Sequence, residues 1–223
     1  MVVGRLPLRV GFELHRDSAF AYTCGRCSRC CVGKRIPLDP YEVARLGELL
    51  GLSTTEVLAR FTTNGGSILA VREDGTCVFL GDQGCGVHAA RPLACRLYPL
   101  GRRISPAEGE RFAAVEPDPG CQGSYEGGGT VEDYLAAQQA EPYLTMADRY
   151  RAVLEELLAA LLRRPDLADC CEQANELLGK APTPEDESLL DVDAVVSRGG
   201  VSPREVEERV LLHLAALEQI ARE

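Results

Sequence analysis

Apolar positions recur at two different periods along this chain, and the period changes near residue 130. Leu6, Leu8, Val10, Phe12 and Leu14 alternate with polar or small residues, which predicts a strand over 6–14. Val43, Leu46, Leu49 and Leu50 then recur at helical spacing. Asp39 stands as the N-cap of that helix, Pro40 suits its first position, and Gly51 stops it. Residues 54–62 predict a short second helix. Ser67–Arg72 and Cys77–Leu80 read as two strands about a turn at Glu73-Asp74-Gly75, and Gly81-Asp82-Gln83-Gly84 reads as a second turn. Residues 99–112 show no clear period and read as irregular. Arg111–Val115 reads as another strand.

Three consecutive glycines, Gly127–Gly129, mark a boundary. Beyond them the helical period dominates. Met146, Tyr150, Val153, Leu154, Leu157, Leu158, Leu161 and Leu162 form one long apolar stripe. A further helical segment, Leu167–Leu178, follows Pro165, and residues 180–188 form a polar, proline-containing linker. Ser202-Pro203 opens a last helix with Val206, Val210, Leu214 and Leu217 on one face. The pattern predicts an α+β fold. A small cysteine-rich domain of short strands and helices occupies residues 1–126, and an all-α helical module occupies 130–223. Each amphipathic stripe needs a partner surface, so the helical module is expected to pack on the cysteine-rich domain, its helices from 130 to 178 forming a hairpin-like pair closed by the 202–222 helix, and to offer a surface for a protein partner.

Composition narrows the class. With 45% apolar residues among 223, the chain can bury an ordinary core, so its cysteines are not needed to staple a tiny fold. No apolar run approaches the length of a membrane span, and residues 1–20 lack a signal-peptide pattern. A cytoplasmic location with reduced thiols is the expectation. The net charge of −10 is unevenly placed: residues 1–129 hold 15 Lys and Arg against 14 Asp and Glu, and residues 130–223 hold 9 against 20. The acidic second part argues against nucleic acid or an anionic membrane as partner.

The cysteines carry the candidate chemistry. Cys24, Cys27, Cys30 and Cys31 fall within eight residues, and Cys77, Cys85, Cys95 and Cys121 follow. In a reducing compartment such crowding points to metal rather than to disulfides. The triple spacing C-x2-C-x2-C is closer to the ligand run of bacterial ferredoxins than to a zinc knuckle, although Cys31 and Val32 stand where the ferredoxin run continues differently. The expected cofactor is therefore an iron–sulfur cluster of the 4Fe–4S type, with zinc the alternative, and all eight thiols are candidate ligands. Eight thiols suffice for two four-ligand sites or for one site with spare thiols. Of the surrounding basic residues, Arg91 and Arg96 are the candidates to donate hydrogen bonds to a net-negative cluster. His88, three residues after Cys85, is a possible further ligand. His15 and His213 have no ligand-like context, and His213 reads as decorating the last helix. Cys170 and Cys171 share a helical face with leucines and read as core.

Several separated motifs also occur in a recognisable order. Tyr22-Thr23-Cys24-x2-Cys27-x2-Cys30-Cys31, Cys77-Val-Phe-Leu80, Cys85-Gly-Val-His88-Ala-Ala-Arg91-Pro92-Leu-Ala-Cys95-Arg96-Leu-Tyr98-Pro99 and Cys121-Gln-Gly123 together resemble the YkgJ-type cysteine-cluster (CxxCxxCC) family. The resemblance covers about residues 20–125 and implies zinc or iron chelation. Ser28 departs from the glycine often found at its place in the family. A related domain occurs in flagellin lysine methylases, so the resemblance implies a methyltransferase-like, cluster-dependent enzyme as one alternative role. A thiol-based metal carrier or redox switch is another. No nucleotide-binding glycine signature or paired general base supports an enzyme directly, and no catalytic residue is assigned.

Overall fold

The structure is a computed structural model that describes residues 11–163, 189–198 and 204–222. The predicted segment 167–178 with Cys170 and Cys171, the linker 180–188, the Ser202-Pro203 helix start and the first half of the 6–14 strand lie outside the described residues. The fold is α+β, with short antiparallel strand pairs and a helical C-terminal region. The chain forms two compact units that interleave in sequence: Met1–Cys30 with Ala94–Glu141, and Cys31–Leu93 with Pro142–Glu223.

The first unit is built on a six-residue hairpin. Strand β5 (Leu100–Ser105) pairs with β6 (Gly109–Ala114), in register from Leu100 opposite Ala114 to Ser105 opposite Gly109. This hairpin occupies most of the stretch read as irregular. Its period is hidden because the polar residues pair with one another: Arg102 Nε lies 2.6 Å from Glu110 and Arg103 Nη2 lies 2.5 Å from Glu108. Leu14 bridges to Phe112, which is fully buried, so part of the predicted N-terminal strand survives as a single pairing. Helix α4 (Val131–Ala137) starts at a reciprocal cap in which Asp133 N–H donates to Thr130 and Thr130 N–H donates to Asp133. Arg16 ties the unit together by reaching Glu110, Glu132 and Glu141 at 2.6, 2.8 and 3.2 Å. Burial alone would push the Glu110 carboxyl up, but its hydrogen bonds from Arg16 and Arg102 outweigh this and hold it below the usual carboxylate range.

The second unit is mainly helical. Helix α1 (Pro40–Leu50) begins at the expected Asp39 cap, completed by Glu42, and ends at Gly51 with φ 68. Helix α2 (Thr54–Phe61) begins at Ser53 with Glu56 three residues on, again a reciprocal cap. Beside them lie two two-residue ladders and a single bridge rather than the two longer strands expected at 67–72 and 77–80: β1 (Thr62–Thr63) with β2 (Ile68–Leu69), β3 (Leu80–Gly81) with β4 (Gly84–Cys85), and a Val71–Cys77 bridge. Both predicted turns are present. Helices α5 (Glu141–Leu162), α6 (Val192–Arg198) and α7 (Val206–Arg222) complete the unit; α3 (Leu93–Leu97) crosses from one unit to the other. Tyr143, Met146 and Val153 of α5 bury against Val192 and Val196 of α6, Val210, Leu214 and Leu217 of α7, and Tyr41 of α1. A second cluster joins Val43, Leu46, Val57, Leu58 and Leu69.

His213 is fully buried in this unit rather than decorating α7. Its Nε2 is 2.8 Å from the Leu189 carbonyl, which accepts the proton. The ring falls among apolar residues of the same face, where a helical wheel shows no polar context to signal it. No helix among the described residues is long and apolar enough to cross a membrane.

Candidate metal centre

The Cys24–Cys30 loop is held by one pairing in the first unit. Thr23 and Ser124 exchange backbone hydrogen bonds of 2.8 and 3.1 Å, which lays the loop alongside residues 121–124. Two glycines make the close approach possible. A Cβ on Gly25 would stand 2.3 Å from the Gln122 carbonyl oxygen, and one on Gly123 would stand 1.9 Å from Tyr22 Oη. Between the cysteines the chain curls through left-handed backbone at Arg26 (φ 52) and Ser28 (φ 59). Glycine favours this region, so serine at 28 accepts a conformation that costs an L residue energy.

This curl brings the Cys27 and Cys121 sulfurs to 3.9 Å. Backbone N–H groups point at the sulfurs: Gln122 N–H at Cys27, Gly123 N–H at Cys121 and Arg26 N–H at Cys24, each at 3.4 Å. The Cys27 thiol is lowered from its ordinary value, first by the Gln122 N–H and then by that of Arg29. Tyr22 Oη lies 3.1 Å from Cys121 Sγ. Burial, and next that sulfur, raise the Tyr22 phenol well above its ordinary value, so it remains a donor. Tyr98 fixes the turn that carries Cys121. It accepts from Asp118 N–H at 2.8 Å and donates to the Asp118 carboxylate at 3.1 Å, while Cys121 N–H bonds back to Asp118 O. The Tyr98 hydroxyl therefore meets a backbone group. Burial pushes it up to about 12.

The remaining thiols divide between the units. Cys30 and Cys95 belong to the first, with Cys24, Cys27 and Cys121; Cys31, Cys77 and Cys85 belong to the second. All eight are thiols; Cys24 is exposed and the others are half-buried. Arg96, in the first unit, is buried, and its Nη1 donates to the Gln138 carbonyl at the end of α4. Cations suit helix C-termini, so this arginine serves the end of α4. Arg91, in the second unit, donates to the His88 carbonyl at 2.7 Å and faces His88 Nδ1 at 3.4 Å. Among the described residues, no three His, Cys, Asp or Glu side chains already converge as the ligands of one ion. The donor chemistry fits a soft or borderline metal: thiols met by N–H groups and a phenol.

Residues 23–121 match the family CxxCxxCC, described as "Putative zinc- or iron-chelating domain". No curated protein and no solved structure matches the chain. The matched region contains every described cysteine. Tyr22 stands in the quoted motif without a role, and neither Asp118 nor the N–H groups of residues 122 and 123 are marked by the sequence. Gly25 and Gly123, which admit the close approach, were the available signal.

Proposed function

We propose that this is a metal-binding protein whose CxxCxxCC region holds a single-ion thiolate centre, zinc or iron, through Cys27 and Cys121 with further thiols of the first unit. The observation that carries this reading is the 3.9 Å between the two sulfurs. Two thiolates on one tetrahedral zinc, with Zn–S of about 2.3 Å, stand about 3.8 Å apart. In a four-iron cluster each thiolate caps a different iron, which spreads the sulfurs more widely. The bound ion would neutralise the crowded thiolates and fix the loop. The N–H groups of Arg26, Gln122 and Gly123 and the Tyr22 phenol would orient the sulfurs around it. A 4Fe–4S cluster is the second reading, favoured by the C-x2-C-x2-C run.

Anaerobic purification followed by metal analysis and an absorption spectrum tests both. The first reading expects zinc, or iron without labile sulfide, in a fixed ratio to protein. Brown protein with matching iron and sulfide would replace it with the second. Protein that takes up neither metal would refute both.

A further inference from the structure

We propose that the chain carries two thiolate centres, one within each unit, divided at the Cys30–Cys31 peptide bond. The proposal rests on the metal-binding reading above and adds a second site, built from Cys31, Cys77 and Cys85. Residues Arg29–Cys31 form a 3-10 turn. Successive side chains in such a turn project about 120° apart, so Cys30 and Cys31 do not aim at one point. The unit boundary falls between these two residues. Cys30 falls in the unit of Cys27 and Cys121, and Cys31 in the unit of Cys77 and Cys85.

Within the second unit the backbone gathers three cysteines. Val32 pairs antiparallel with Thr76, which sets Cys31 directly opposite Cys77. Cys77 N–H donates to the Cys31 carbonyl at 2.8 Å, and Gly33 N–H donates to Gly75 O at 2.9 Å. The two backbones therefore run side by side at Cys31 and Cys77. Leu80 N–H then closes a turn onto Cys77 O at 3.0 Å, and Leu80 pairs with Cys85 in the next hairpin. Cys77 and Cys85 both pack against the apolar cluster of α1 and α2, which gives the site a low-dielectric wall. Three thiolates are the protein share of a four-coordinate ion when another donor takes the fourth position. His88, three residues after Cys85 in the same unit, is the candidate for that position, in exchange for its Nδ1 contact with Arg91.

The test uses the full chain, reduced and metal-free, with zinc as the only added metal. Native mass spectrometry should show two zinc ions per chain. The Cys27→Ser/Cys121→Ser variant should keep one, and Cys31→Ser/Cys77→Ser should also keep one. If either variant is unstable, peptide mapping of the wild type decides. Zinc should slow alkylation of Cys31, Cys77 and Cys85 at least tenfold, as well as that of Cys27 and Cys121. A single zinc per wild-type chain, loss of both ions from either double variant, or unchanged labelling of Cys31 and Cys77 would overturn the two-centre proposal while leaving the first centre standing. No zinc at all would overturn both.

Discussion

The sulfurs of Cys27 and Cys121 lie 3.9 Å apart although 94 positions separate them in the chain. Their proximity depends on a backbone contact that only glycine allows at Gly25, where an added Cβ would come within 2.3 Å of the Gln122 carbonyl oxygen. Gly25→Ala is therefore expected to push the Thr23–Ser124 pairing apart. Overpacking of this kind costs about 1–3 kcal/mol. A lowered melting temperature together with weaker zinc binding, measured by chelator competition, is the expected outcome. Wild-type values for both would contradict this account of the loop.

Ser28 offers the opposite experiment. It holds φ 59, a left-handed conformation that costs an L residue about 1–2 kcal/mol. Glycine removes that cost but gives back about 0.4–1 kcal/mol through the freer unfolded chain. Ser28→Gly should thus be neutral to stabilising by roughly 1 kcal/mol. Chemical denaturation of the metal-free chain reads this directly; clear destabilisation would mean that the serine side chain makes a contact worth more than the strain.

How much of this was legible beforehand varied with the physics of each element. Helix α1 was readable because its signals are local: Asp39, Pro40, the apolar spacing and Gly51 all lie within the segment itself. The thiol chemistry was readable from spacing, and the family match agrees with it. The β5–β6 hairpin was not, since Arg102, Arg103 and Glu110 look like solvated loop until the Arg102–Glu110 pair across the strands and the Arg103–Glu108 pair at the turn are seen. Cys27 meeting Cys121, and Cys31 facing Cys77, depend on pairings between distant segments, and no local period encodes these. The burial of His213 is a tertiary outcome of the same kind.

His213 should make the second unit acid-sensitive. Burial lowers its pKa from 6.5, against the smaller raising effects of the Leu189 carbonyl and Asp191. The unfolded chain takes up a proton near pH 6.5 while the folded chain resists it, so stability is lost as pH falls through that range. His213→Leu should remove this dependence at a cost in the Leu189 hydrogen bond of about 1 kcal/mol. Urea midpoints at pH 5 and pH 7 are the measurement. An equally steep acid loss in the variant would place the titration elsewhere.

Asp39 contributes the reverse slope. Burial pushes its carboxyl up from 3.8 to about 6, overcoming the N–H groups of Glu42 and Tyr41 that lower it. The folded state therefore holds a proton that the unfolded state releases, and this group's contribution to stability falls as pH rises from about 4 to 6. Asp39→Asn keeps a capping side chain on the Glu42 N–H and should flatten that window without losing α1. Far-ultraviolet circular dichroism during denaturation at pH 4.5 and 6.5 checks it; a variant whose two midpoints differ as much as the wild type's would refute the assignment.

Tyr22 and Tyr98 separate a direct effect on the thiol from an effect on its loop. Tyr22 Oη meets Cys121 Sγ at 3.1 Å, and its ring stacks edge-on with Tyr125 at 5.1 Å. Tyr22→Phe keeps the ring and deletes the donor, so the fold should hold while metal affinity falls about tenfold or more, the range for residues that orient a ligand. Tyr98→Phe deletes a hydroxyl that serves Asp118 and not the sulfur. The half-buried Asp118 N–H loses this acceptor, which costs about 0.5–1.5 kcal/mol of stability before it touches affinity. Metal-free melting temperatures and zinc affinities, measured on both variants, should therefore move apart: affinity alone for Tyr22→Phe, and stability first for Tyr98→Phe. If the two variants gave the same pattern, the phenol at Cys121 would be packing only and the orienting role given to it here would be lost.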